Sequence, residues 1–318
     1  MPDPLLPLSR ALAPTLEWRA SCPSTNSELV ARAAELPDLA VLATDTQTAG
    51  RGRLDRVWST PPGSALAVSV LVRHDGGFGA VEPGRATADA GPATPDPRRV
   101  TPDPRRVTPD PRRLGWLPLV AGVAMTRAVR ALGVAGAALK WPNDVLVETG
   151  PAPGKLSGIL TELTSHGVVI GAGLNLTAQV DELPVPTATS LALQGVPAAA
   201  ATAPAATAPA ATAPAATAPA GTTSAAVADE ALAAYLGQLW PLIERWRAEP
   251  APARLRALVE PELSTLGRAV RVDRPGQPVL IGSASGLDDD GRLLVRPADT
   301  SLAMLAVAAG DVTHLRYE

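Results

Sequence analysis

A chain of 318 residues with 46% hydrophobic content has material for one large domain and a small one, and a net charge of −3 argues against a dedicated nucleic-acid binder, whose domain presents a basic face. The single cysteine, Cys22, excludes an intrachain disulfide and fits a reducing cytoplasm. No apolar run approaches the ~20 residues that span a bilayer, and the opening Met1-Pro2-Asp3-Pro4 lacks a basic export segment, so a cytoplasmic protein without membrane contact is expected.

In chain order, Thr25-Asn26-Ser27-Glu28 reads as a capping box opening a helix to about Leu36. Leu39–Thr44 and Ser64–Val72 read as strands, the second almost continuously apolar and therefore buried. A proline-dense heptapeptide beginning at Thr94, Thr101 and Thr108 predicts an extended disordered insertion over roughly 75–113. Leu117–Leu132 has helical spacing, with Leu117, Val120, Ala124, Ala128 and Ala131 near one stripe. Ala138–Lys140, Val145–Val147, Leu156–Leu163 and Val168–Asn175 read as short strands joined by turns, Pro142-Asn143-Asp144 among them. The Ala-Thr-Ala-Pro-Ala repeats of Ala201–Ala220 predict a linker insertion over about 197–224. Ala228–Arg247 returns to helix with a kink at Pro241, and the turn-punctuated strands of Gly267–Tyr317 predict a small β-barrel.

Five segments carry chemistry. Gln47 to Trp58 sets Arg51, Arg53 and Arg56 among glycines. Such a loop can close over an anion, because glycines admit close backbone approach and arginines supply planar donors. Alone, it equally describes a flexible basic loop. Upstream lies Ser24-Thr25-Asn26. Downstream come Lys140-Trp141-Pro142-Asn143-Asp144, then Lys155 to Glu162, then Gly171-Ala172-Gly173-Leu174-Asn175.

Taken in this order, the segments resemble the catalytic module of biotin protein ligases, from about Ser24 to Leu191, with a weaker likeness continuing to the C-terminus. The resemblance implies an α+β fold. A catalytic domain related to class II aminoacyl-tRNA synthetases would span 1–262, and an SH3-like domain 263–318. It further implies ATP-dependent adenylation of biotin, release of pyrophosphate, and transfer of biotin to a lysine of the biotin carrier domain of an acyl-CoA carboxylase, with Mg²⁺ as cofactor.

Joining a carboxylate to an α-phosphate sets two anions together, so the site must gather cations and preorganised donors. By resemblance, Lys155, Arg51 and Arg53 are catalytic, Lys155 meeting both reactants, and Arg56 joins them on the phosphates. Ser24, Thr25, Asn26, Gln47, Gly50, Trp58, Gly158 and Gly173 would surround biotin together with Arg51 and Lys155. Ser24, Thr25 and Gln47 would take the ureido end, while Gly158, Gly171 and Gly173 would let the strands approach the ring. Asn143 and Asn175 would read adenine, since an amide donates and accepts at once. Asp144 is the candidate metal partner, although one carboxylate does not define a site. An acyl-adenylate is destroyed by water, so the glycine-rich loop is expected to act as a lid. No residue stands out as a general base for the transfer step.

The loop departs from its usual form at Leu54-Asp55, where Asp55 would alter mobility or pair with a neighbouring arginine. Only about twenty residues precede Ser24, too few for the helix-turn-helix of many relatives, so no DNA binding is expected. The protein is expected as monomer or homodimer. Rival readings are a lipoate or octanoate enzyme of the same superfamily, a non-catalytic biotin sensor, and a scaffold binding Pro-rich peptides through the barrel. Against the last, Tyr317 is the barrel's sole aromatic, and a groove for such peptides needs several.

Overall fold

A computed structural model of the chain describes residues 6–54, 56–73, 111–197, 220–249, 251–274, 276–308 and 311–314. It begins with α1 (Pro7–Leu12) and β1 (Leu16–Trp18), then α2 (Thr25–Arg32), β2 (Ala40–Thr44), the short strands β3 (Gly50–Arg51) and β4 (Val57–Trp58), and β5 (Ala65–Arg73). After these come α3 (Leu117–Ala131), β6 (Ala137–Lys140), β7 (Asp144–Val147), β8 (Gly154–Thr164), β9 (Gly167–Asn175), α4 (Ala220–Ala248) and α5 (Pro252–Val259). Strands β10 (Ala269–Asp273), β11 (Leu280–Leu287), β12 (Leu293–Pro297), β13 (Leu305–Val307) and β14 (Asp311–His314) complete the chain.

Seven strands form the central sheet in the order β1-β2-β5-β9-β8-β7-β6, parallel only between β1 and β2. Because successive side chains on a strand face opposite ways, this sheet has two distinct sides. On one, Leu66, Val68, Val70 and Val72 of β5 join Ile170, Ala172 and Leu174 of β9 in the main core, with α3 and α4 packed over them. The other side begins with Leu42, Leu71 and Val169 beneath Leu29 of α2 and Ala33, which caps its C-terminus. That helix is only 8 residues long, so it covers one end. Farther along the same side the register runs Ser69–Gly171–Leu160 and then Ala67–Gly173–Gly158–Asp144. Small residues there bring the sheet backbone near the surface.

The second sheet is antiparallel, in the order β13-β12-β11-β10-β14, and β11 alternates buried with exposed residues through Leu280, Gly282 and Ala284. This is the small C-terminal β body expected. The segment leading into it is tied to the central sheet, Ser264 N donating to Leu139 O at 2.8 Å and Trp141 N to Thr265 Oγ1 at 3.0 Å, and β11 is tied to the turn after α5, Leu287 N donating to Glu260 Oε1 at 2.9 Å.

Several sequence expectations need correction. The cap of α2 is Ser24, whose hydroxyl accepts from Ser27 N, and the helix ends at Arg32 rather than Leu36; Thr25 is spent on tertiary bonds instead. The insertion placed over 75–113 stops short of Arg113, which lies in a 3-10 segment, Pro111–Trp116, and is buried. Its guanidinium donates to Trp246 O and sits 5.3 Å from that ring centre, while Trp246 Nε1 donates back to Arg113 O at 3.1 Å. Stacking and a carbonyl partner let the last arginine of the repeat be buried. Helix α4 likewise starts at Ala220, inside the span assigned to the linker. Residues 74–110 and 198–219, which hold the rest of both insertions, are outside the described residues.

Candidate functional site

The glycine-rich segment folds as a small hairpin in which Gly50 pairs with Trp58 and Arg51 with Val57. Gly50 has to be glycine: a Cβ there would lie 2.4 Å from Trp58 O. Gly52 N bonds to Arg56 O at 2.7 Å and Arg56 N to Arg53 O at 3.2 Å, closing the tip. Leu54 is held at a φ of 54°, a left-handed conformation costing a non-glycine residue about 1–2 kcal/mol. Asp55 lies outside the described residues. The arginines reach back to the sheet. Arg51 Nη2 donates to both oxygens of Glu162 at 2.7 Å, and Arg53 Nη1 donates to Asn143 Oδ1 at 3.2 Å.

Lys155 reaches the same side through an irregularity in β8. Pairing with β7 moves from Val145–Ser157 to Leu146–Lys155, leaving Leu156 as an extra residue. A bulge reverses the alternation and re-aims side chains. Leu156 therefore enters the main core, while Lys155 Nζ comes 2.7 Å from Asp144 Oδ1 and 5.9 Å from the Trp58 ring centre. A Cβ on Gly158 would lie 3.3 Å from that ammonium, and one on Gly173 would lie 2.6 Å from Trp58 Cε2. The two glycines thus make room for Lys155 and for the Trp58 ring.

At the start of α2, Thr25 N and Oγ1 donate to Gln47 Oε1 at 2.9 and 3.3 Å. Ser69 Oγ stands 2.7 Å from Thr25 Oγ1 and 2.6 Å from Asn26 Oδ1, and Asn26 Nδ2 donates to Leu160 O and, at 2.8 Å, to Glu162 Oε2. Gly171 permits this arrangement, since a Cβ there would lie 2.1 Å from Asn26 Oδ1. Two members of this network, Ser69 and Glu162, were not singled out from the sequence. A signal existed for each. Ser69 is the sole polar residue in the interior of an otherwise apolar strand that ends at Arg73, and Glu162 continues the Gly158, Leu160 alternation.

A cavity of about 910 Å³ opens beneath the hairpin, with Arg51, Arg53, Arg56, Asn143 and Glu162 in its walls. Asp290, Gly291 and Arg292 of the C-terminal sheet close its far side. Two indoles hold that turn in place: Trp116 Nε1 donates to Asp289 O at 2.9 Å and Trp141 Nε1 to Gly291 O at 3.2 Å. Gly115 admits the turn, a Cβ there being 2.3 Å from Asp290 O. Lys155, Trp58, Thr25 and Gly173 are not among the cavity walls, so the expected site residues fall into two adjoining parts: the glycine face with Lys155, and the cavity with the hairpin arginines. Asn143 belongs to the cavity, its Nδ2 donating to Ile159 O at 2.7 Å. Asn175 does not. Its Nδ2 donates to Thr189 O at 2.9 Å, and its Oδ1 is buried without a partner among the described residues.

Burial lowers the pKa of Arg53 and of Lys140, the cross-strand partner of Asp144; Asp144 opposes the shift in both, and Arg56 adds to it. Partly desolvated cations that repel one another are stabilised by an incoming anion. For a metal the donor set is poor. Asp144 is engaged by Lys155, and among the described residues no three His, Cys, Asp or Glu side chains gather. These residues do not build a metal cage. Cys22 is buried, and burial pushes its thiol up to about 11, the opposite of the shift that activates a nucleophile.

Residues 18–83 match the Biotin/lipoate A/B protein ligase family, and residues 265–315 the Biotin protein ligase C terminal domain. The chain is 33% identical over 313 residues to the biotin--[acetyl-CoA-carboxylase] ligase of Mycobacterium tuberculosis, covering 94% of this chain and 90% of that protein. It is 33% identical over 158 residues to the bifunctional ligase/repressor BirA of Escherichia coli, covering 48% of this chain and 38% of that one. In structure it resembles the biotin protein ligase from Aquifex aeolicus in complex with biotin and ATP, with a TM-score of 0.62 and 21% identity over 95% of this chain and 99% of that one. At that identity the likeness speaks to the fold. Among the described residues no helix is long and apolar enough to cross a membrane.

Proposed function

The chain belongs to the biotin protein ligase family, and from that premise we propose that it adenylates biotin with ATP and passes the biotinyl group to a lysine of a carboxylase carrier domain. A biotin carboxylate oxygen attacks the α-phosphorus, and the bond to pyrophosphate breaks. The carrier amine then attacks the acyl carbon, AMP leaves with the bridging oxygen, and solvent takes the proton. The observation that carries this reading is the bulge in β8, which sets Lys155 on the glycine face of the sheet beside a lid bearing Arg51 and Arg53.

In this reading Arg51 meets the carboxylate and α-phosphate, Arg53 and Arg56 the remaining phosphates, and Lys155 both reactants. Each acts by electrostatic preorganisation in a site the lid closes to water. Thr25, Gln47 and Ser24 take the ureido end, with Gly158, Gly171 and Gly173 beneath the bicycle. Trp58 now lies over Gly173, so the ring moves or forms the ligand's wall. Asn143 reads adenine from the cavity; Asn175, with one oxygen unpaired, supports the neighbouring backbone or the base. Likeness to the biotin--[acetyl-CoA-carboxylase] ligase of Mycobacterium tuberculosis supports an acyl-CoA carboxylase as the source of the carrier.

The test is pyrophosphate release by purified protein given ATP, Mg²⁺ and either biotin or lipoate. Biotin-dependent release is expected, and Lys155→Ala should lower it on the order of 10²–10³-fold. Release with lipoate alone would transfer the reading to the sister enzymes. Tight biotin binding without release would make the chain a sensor.

A further inference from the structure

Glu162 bonds both to the glycine-rich hairpin, through Arg51, and to the base of the site, through Asn26. It lies on β8 opposite Val169, where the part of the sheet covered by α2 gives way to the glycine-lined part. Its two oxygens take Arg51 Nη2, and Oε2 also takes Asn26 Nδ2. Asn26 is anchored in turn by Ser69 Oγ from the neighbouring strand. A continuous line of hydrogen bonds thus runs from β5 through the start of α2 to β8 and into the lid. Glu162 is one-quarter exposed while Arg51 is about half exposed, so the carboxylate is the fixed end of the pair and the arginine the movable one.

Resting on the function proposed above, we infer that Glu162 is a positioning residue that latches the lid through Arg51 and thereby governs how long the acyl-adenylate stays sheltered. Arg51 spends only Nη2 on Glu162. Its Nε and Nη1 have no partner among the described residues, so three N–H groups remain for an anionic ligand while the latch holds. The carboxylate is held by Asn26 before Arg51 arrives, so docking the lid orders one long side chain rather than two.

The substitution Glu162→Gln tests this, because its amide oxygen still accepts from Asn26 while the charge facing Arg51 is gone. In the ligand-free protein, tryptic cleavage after Arg53 and Arg56, mapped by mass, should quicken about two- to five-fold, the range of a partly exposed ion pair. With biotin, ATP and carrier present, pyrophosphate released per biotin transferred should rise, since loosened adenylate is hydrolysed. The cleavage effect, which needs no activity, should vanish when Glu162→Gln is introduced into an Arg51→Ala background, because the two residues act as one unit. Unchanged cleavage and an unchanged ratio in an active protein would overturn the latch, as would equal effects of Glu162→Gln on cleavage with and without Arg51. A wild-type protein that releases no pyrophosphate would instead remove the ligase reading, and the cleavage arm would still decide whether Glu162 holds the lid.

Discussion

On β5 the residues turned toward α3 and α4 are Leu66, Val68, Val70 and Val72, whereas those turned toward the lid include Ala67 and Ser69; on β9 the same division sets Ile170, Ala172 and Leu174 against Gly171 and Gly173. One side excludes water by filling space, and its side chains are almost wholly buried. The other is useful for the space it leaves. A strand whose alternation is large and small, rather than apolar and polar, therefore marks a sheet with a core on one side and a ligand surface on the other.

Removing bulk from the first side and adding it to the second should have opposite signatures, and this pair gives the largest expected effects. Leu66→Ala deletes a fully buried side chain and should cost about 2–5 kcal/mol in urea unfolding, while pyrophosphate release per folded molecule stays within a few-fold. Gly171→Ala should cost less stability, about 1–3 kcal/mol, but lower activity on the order of 10²-fold, as a displacement of about 1 Å does in an active site. Its methyl would strike Asn26 Oδ1 at 2.1 Å, and Asn26 holds Glu162. Equal losses of stability and activity in both variants would erase the distinction between the two sides.

Most of the central body was legible because it is written in local periodicity. The helix at Leu117 and the strands from Leu39, Ser64, Ala138, Leu156 and Val168 were all found within about two residues of their ends, and the ordered motifs singled out the hairpin, Lys155 and Asn143. What escaped depends on partners distant in the chain. The bulge at Leu156 exists only relative to β7. Strands β1, β3 and β4 span two or three residues each, too few to show a period. Strands β13 and β14 and helix α5 also went unread, and Arg113 looked like one more repeat arginine until Trp246 supplied its stacking surface. The wall contributed by Asp290, Gly291 and Arg292 could not be foreseen from any segment alone. Trp141→Phe probes that wall. It removes the bond to Gly291 O while keeping an aromatic ring, so stability should fall by about 1 kcal/mol. If the turn helps seat the nucleotide, KM for ATP should rise several-fold with KM for biotin nearly unchanged; an equal rise in both would assign the turn to neither.

The smallest effect sharpens the comparison at its boundary. Cys22 precedes α2 on the lid side, its N bonded to Thr46 O, yet it is buried like a core residue. Burial pushes its thiol from 9.0 to about 11, with Glu28 adding to the shift and Arg19 opposing it. Below pH 9 both folded and unfolded chains keep the proton. Between about 9 and about 11 the unfolded chain gives it up while the folded chain does not, so this contribution to stability falls as pH rises through that window. Alkylation by iodoacetamide should therefore be slow at pH 8 in the native protein and fast in urea, with a native midpoint near the raised value. A native midpoint at 9.0 would mean that the lid side is wet down to the strand ends, and that small residues there admit water as readily as ligand.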